Sequence, residues 1–221
     1  MNYGAILFKE NFLSGDEINE AATLAKRFAS EKQAVHQDGK YAGMQWFQVN
    51  LDPNWGITKK ILSELNANNP ELLVFYYLEP GAKIHPHRDL SGASLSNRIR
   101  FHVPIVTNPD VKFMVDHERV KMNPGELWCL DTSYLHAVAN DGSESRVHIV
   151  VECGVNASLR QRLPNNLQTK LHTLGFFFTM AGLLAKSLVL NSVKDPRYLM
   201  SQIAMIVKYV GWRFLKIGSP K

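Results

Sequence analysis

Two cysteines in 221 residues are too few to staple a fold. Cys129 and Cys153 both lie in apolar, strand-like runs, so they read as buried thiols of a chain kept in a reducing compartment. The first ten residues lack the apolar core of a secretory leader, since Lys9 and Glu10 stand where it would run. Internal repeats and low-complexity segments are missing too, which excludes solenoid arrays and biased, disordered chains. The apolar run Leu174 to Leu184 falls short of the roughly 20 residues that a membrane span needs. Acidic residues are scarce at one end only. Beyond residue 153 there are ten Lys/Arg and a single acid, Asp195, so the net charge of +5 divides into +9 after that point and −4 before it. The pI of about 9.2 therefore belongs to the tail and is no argument for nucleic-acid binding.

What is present describes a globular chain. Hydrophobic residues make up 45% and charged residues 20%, enough apolar matter for a real core. Ser14-Gly-Asp-Glu is a capping signal for a helix over Asp16–Ser30, and Ile57 to Asn66 predicts a second amphipathic helix. Strands are predicted over Tyr3 to Phe8, Tyr41 to Leu51 and Leu72 to Leu78, the last apolar on both faces. In Arg98 to Val106, Ile99, Phe101, Val103 and Ile105 face one way and Arg98, Arg100 and His102 the other. Val111 to Val115 and Glu118 to Met122 predict a hairpin turning at Asp116-His117, with further strands at Glu126 to Asp131 and Arg146 to Glu152. Short strands with turn signals at this spacing indicate a mainly β fold with helices, a double-sheet barrel of the jelly-roll or cupin type. The tail predicts a long helix over Asn165 to Leu190 and another starting at Asp195-Pro196, with Leu199 to Ile217 on one side. The expected division is a barrel domain over residues 1–158 and a helical extension over 159–221.

The chemistry concentrates between Pro80 and Val151. His87 and Asp89 are separated by one residue on an extended segment, which turns both side chains the same way. With the distant His136 they form two imidazoles and one carboxylate, a set that suits Fe(II) and leaves one face of the ion open. Arg146 begins an otherwise apolar strand on its inward side. A guanidinium there needs an anion, either a glutamate such as Glu126 or Glu152, or a bound dicarboxylate. Arg100 shares a face with His102 and is either a solvent-facing strand residue or a contact for a substrate carboxylate. His85 is a neighbour rather than a ligand, and His148 an inward packing residue. Trp46, Phe47, Tyr76 and Tyr77 are either core or the wall of a pocket.

The stretch Pro80 to Glu152 resembles the aspartyl/asparaginyl β-hydroxylase family of Fe(II)- and 2-oxoglutarate-dependent oxygenases, especially bacterial members that hydroxylate free amino acids such as proline. The resemblance is carried by His85-Pro-His-Arg-Asp89, Arg98-Ile-Arg-Phe-His-Val103, Gly125-Glu-Leu-Trp-Cys-Leu-Asp131, His136 and Arg146-Val-His-Ile-Val-Val-Glu152. It implies a double-stranded β-helix with His87, Asp89 and His136 on iron. It further implies Arg146 on the distal carboxylate of 2-oxoglutarate, His102 near its metal-binding end, and Arg100 on the substrate. O2 is the second cosubstrate. The family's animal peptide hydroxylases lack the aspartate, as do related halogenases, so Asp89 argues for hydroxylation.

The expected activity is hydroxylation of an unactivated C–H of an amino acid or an aspartyl/asparaginyl-like substrate, small or peptidic, in the cytoplasm and without nucleic acid. Two alternatives stand beside it: the same chemistry on a lipid acyl chain, and a cupin-like metal-binding protein without turnover. The basic, apolar tail is expected to pack on the barrel; its alternative is a peripheral membrane or dimer contact.

Overall fold

A computed structural model describes residues 3–35, 44–89, 97–192 and 200. The chain forms two compact units, residues 1–165 and 166–221. In the first, strands β1 (Ala5–Lys9), β2 (Gln33–Ala34), β3 (Trp46–Asn50) and β4 (Leu72–Leu78) are interleaved with helices α1 (Gly15–Phe28) and α2 (Gly56–Leu65). There follow β5 (Lys83–His87), β6 (Arg98–Val106), β7 (Val111–Val115), β8 (Glu118–Val120), β9 (Leu127–Leu130), β10 (His136–Asn140), β11 (Arg146–Gly154) and the short helix α3 (Ala157–Arg162). They build two antiparallel sheets, one in the order β1-β9-β6-β11-β4-β3-β2 and one in the order β5-β10-β7-β8. This is the expected double-sheet barrel with N-terminal helices.

The period-2 pattern of the strands decides which side chains meet what. Ile99, Phe101, Val103 and Ile105 of β6, with Val147, Ile149, Val151 and Cys153 of β11, pack with Ala21 and Ala25 of α1 and Ile57, Ile61 and Leu65 of α2. The opposite faces of the same strands therefore look toward the second sheet. There Leu78, Ile84, Phe113, Val115, Leu130 and Val138 form a second cluster. The polar residues Arg100, His102, Arg146, His148 and Glu152 share that inner side. Burial makes each of them an electrostatic statement.

Local signals explain the frame. Ser14 caps α1, accepting from the Glu17 amide at 3.2 Å while the Glu17 carboxylate accepts from the Ser14 amide at 2.7 Å. Gly125, at φ +79°, sits so tightly that a Cβ would lie 3.0 Å from the Leu13 carbonyl oxygen and 2.7 Å from Ile18. Pro86 lies in β5, an edge strand of its sheet, where a missing amide costs no ladder bond. Pro104 lies in the interior strand β6, at the point where the β6–β11 register shifts.

Some elements differ from the sequence reading. His136 opens a strand of its own, because β10 is clamped between β5 and β7 despite its two alanines. The helix α3 was not expected; Leu159 anchors it in the core, and it lies in the first unit, straddling the boundary expected at residue 158. In the second unit, α4 (Leu167–Ser192) starts at Asn166, whose side chain accepts from the Thr169 amide. It leaves Leu167, Leu171, Leu174, Phe177 and Phe178 exposed. Among the described residues no helix is long and apolar enough to cross a membrane. The strand expected from Tyr41 is described only from residue 44, and the helix expected at Asp195 lies outside the described residues.

Candidate metal centre

The last residue of β5 and the first of β10 are paired across the ladder, and both are histidines, His87 and His136. Their ring centroids are 4.2 Å apart. Asp89, two residues past His87, is tied back by its amide, which donates to the Thr132 carbonyl at 2.8 Å. One ligand atom from each of His87, Asp89 and His136 falls within 4.8 Å of the others. The strand pairing thus brings the distant His136 to the His87/Asp89 pair.

The tautomers suit a metal. Nδ1–H of His87 donates to the His85 carbonyl at 2.8 Å, and Nδ1–H of His136 donates to the Tyr134 carbonyl at 3.0 Å. Each neutral ring then keeps its lone pair on Nε2. His87 Nε2 lies 3.5 Å from Asp89 Oδ1, so nitrogen and carboxylate oxygen converge on one point. Burial lowers the pKa of His136, opposed by its hydrogen bond to Tyr134, which favours the ligating form. Two lone-pair nitrogens and one carboxylate oxygen on one side of an open space fit a divalent iron.

That space is a cavity of about 680 Å³ lined by the three residues together with Arg100, His102 and Arg146. Arg146 is 2% exposed and meets no carboxylate among the described residues. One of its terminal nitrogens donates to His148 Nδ1 at 2.7 Å, its guanidinium lies 5.5 Å from the Phe113 ring centroid, and its Nε is buried without a partner. Burial alone lowers its pKa to about 9. A charge held at such a cost, with a donor left over, is a seat for an anion. The glutamates considered as its partners are engaged elsewhere. Glu126 accepts from Trp128 Nε1 and Asn123, and Glu152 accepts from Arg100.

His102 and His148 are buried beside Arg146, their Nδ1 atoms 3.4 Å apart. Burial first, and then the Arg146 charge, push both imidazoles well below their ordinary value, so both are neutral. Arg100 does not stand free for a substrate carboxylate. Its Nε and one terminal nitrogen donate to Glu152 at 3.0 and 2.7 Å, and the other donates to Asp89 Oδ2 at 3.1 Å. Burial opposes its charge, but Glu152 and Asp89 outweigh that and raise its pKa.

The four aromatic residues divide by strand parity. Trp46 and Tyr76 wall the cavity, ring centroids 5.1 Å apart, whereas Phe47 and Tyr77 pack on the helix side, Tyr77 donating to the Ala25 carbonyl. Thr132 was missed by the sequence reading; its buried hydroxyl faces the same cavity without a protein partner. Glu152 was considered only as a partner for Arg146. Parity alone places it on the inner face, three alternations beyond Arg146. His85 and His117 are exposed.

Residues 16–154 match the family described as aspartyl/asparaginyl β-hydroxylase. No curated protein matches the sequence. Among solved structures, a Pseudomonas putida prolyl-4-hydroxylase is similar at TM-score 0.51 and 15% identity, over 70% of this chain and 94% of that one. A Trichoplax adhaerens prolyl hydroxylase in complex with a hypoxia-inducible-factor peptide is similar at TM-score 0.54 and 10% identity, over 72% and 87% of the two chains. The epimerase SnoN from nogalamycin biosynthesis gives 0.52 and 16%, over 68% and 77%. These likenesses carry the fold. The family match spans more than half of the sequence, and the chain belongs to the aspartyl/asparaginyl β-hydroxylase family of Fe(II)- and 2-oxoglutarate-dependent oxygenases.

Proposed function

We propose that this oxygenase hydroxylates an unactivated C–H bond of an amino acid or of an aspartyl- or asparaginyl-like residue, with His87, Asp89 and His136 as the iron ligands. The observation that carries the reading is a convergent His/Asp/His set in the same cavity as an arginine with no counter-ion. When bound with O2, Fe(II) and 2-oxoglutarate supply the oxidising power that places one oxygen atom in a C–H bond, with succinate and CO2 as the other products. The protein's own part is orientation and exclusion of water. Arg146 holds the distal carboxylate of the cosubstrate and is itself aimed by His148. The neutral His102 offers a ring nitrogen to the metal-binding end of the cosubstrate without adding charge. Trp46 and Tyr76 give the entering substrate an apolar wall. Peptide and small-molecule chemistry among proteins of similar fold supports a substrate of that size, such as the peptide bound by the Trichoplax enzyme.

The test is succinate release from 2-oxoglutarate, screened across free amino acids, asparaginyl and aspartyl peptides, and acylated lipids. Iron-dependent release stimulated by an amino acid or peptide, with one oxygen gained by that compound, is the expected result. Stimulation by acyl lipids alone would replace this substrate class with the lipid one.

A further inference from the structure

Asp89 lies beyond the end of β5 and its amide is tied to the Thr132 carbonyl, while its carboxylate is held separately. Its orientation comes from the other sheet. Arg100 donates from one terminal nitrogen to Asp89 Oδ2 at 3.1 Å and turns its two remaining edges to a single oxygen of Glu152, at 3.0 and 2.7 Å. Glu152 stands directly opposite Arg100 in the β6–β11 register, with its side chain 9% exposed and that of Arg100 17% exposed. The row Glu152–Arg100–Asp89 therefore runs from the middle of the large sheet to the ligand carboxylate. Oδ1 is left facing His87 Nε2 at 3.5 Å.

We propose that Glu152 is a positioning residue for the metal centre, acting through Arg100 to make Asp89 a one-oxygen ligand. This rests on the reading of His87, Asp89 and His136 as the iron site. With Arg100 on Oδ2, that oxygen would be held back from a bound metal and Asp89 would offer Oδ1 alone, leaving room for the cosubstrate and O2. The same arginine also draws electron density from the ligand, which alone would weaken metal binding. Glu152 offsets this by taking two of the three hydrogen bonds and most of the guanidinium charge. Remove the Glu152 charge, and a buried cation bears on Asp89 without a counterweight. Arg100 is then part of the metal support.

The experiment is Co(II) binding to the full chain without cosubstrate, by calorimetric titration at fixed pH, well below each variant's melting temperature. Glu152→Gln, which keeps the shape and removes the charge, is expected to retain one site and lose about 10- to 100-fold in Co(II) affinity. In an Arg100→Gln background the same substitution is expected to change Co(II) affinity little, because its effect travels through the guanidinium. A purely structural role for Glu152 would lower thermal stability in both backgrounds and leave the affinity of folded protein unchanged. Parental affinity in folded Glu152→Gln, or an equal loss in both backgrounds, overturns the proposal. Should Glu152→Gln alone fail to fold, Glu152→Asp takes its place, since it shortens the reach to Arg100: a loss of Co(II) affinity that disappears in the Arg100→Gln background supports the proposal, and parental affinity overturns it. A parent chain that binds no Co(II), or an Asp89→Ala variant that binds it as tightly as the parent, sinks the metal-site reading itself.

Discussion

Arg146 is 2% exposed, meets no carboxylate among the described residues and keeps its Nε without a partner, an arrangement that an anion in the cavity would complete. His148 accepts one hydrogen bond and Phe113 offers its ring face, but neither neutralises a guanidinium. Arg146→Ala is therefore expected to cost about 2–5 kcal/mol of 2-oxoglutarate binding. The check is steady-state kinetics: the apparent KM for the cosubstrate should rise far more than that for the prime substrate. An unchanged cosubstrate KM would contradict the assignment. The paired imidazoles beside Arg146 make a second prediction. Both folded values lie below the ordinary 6.5, so on unfolding each ring gains affinity for a proton. Their contribution to stability is full above about pH 6.5 and is lost as the pH falls below it, by up to about 1.4 kcal/mol per unit for each ring. Urea denaturation of parent and His148→Gln at about pH 7 and about pH 5.5 should show the parent losing more on acidification. Equal losses would mean that His148 is not buried neutral.

At the scale of the element, the β7–β8 hairpin turns on two residues that both adopt positive φ, Asp116 at 49° and His117 at 67°. That geometry favours Asn-Gly. Replacing the pair by Asp116→Asn with His117→Gly is expected to stabilise the fold by up to about 1 kcal/mol, because the left-handed strain relieved at His117 exceeds the entropy cost of the new glycine; the check is a higher denaturation midpoint. A lowered midpoint would show that the His117 side chain contributes more than its backbone strain costs. This turn was legible in advance because polar residues interrupt two apolar alternations. So were β4 and β6, whose bounds follow from their pattern. Parity also grouped Arg98, Arg100 and His102 on one face of β6 and placed Arg146 on the inward side of β11, but left the β6 face open between solvent and a cavity. What parity could not announce is partner choice. Arg100 and Arg146 look alike in sequence, yet the β6–β11 register puts Glu152 opposite Arg100. Among the described residues no such neighbour reaches Arg146. Nor was β10 legible as a strand, since His-Ala-Val-Ala-Asn has little intrinsic preference and is held by neighbours on both sides.

At the scale of the whole molecule, the three apolar clusters among the described residues, including those packed at their edges, lie at or before Leu163. The first unit thus owns its core and all three candidate ligands. A chain ending at residue 165 is expected to fold cooperatively and keep iron-dependent turnover of 2-oxoglutarate, measured by thermal denaturation and succinate release. An insoluble truncation would show that the helical extension covers part of the first unit. The account rests finally on one claim, that β5 and β10 bring His87, Asp89 and His136 to a single iron. An anaerobic titration of the full chain with Fe(II), repeated for Ala variants of each residue, tests it most directly. The account predicts one tight site per chain in the parent and its loss in all three variants, because the open set has no spare protein ligand; parental stoichiometry and affinity in the variants would place the iron elsewhere.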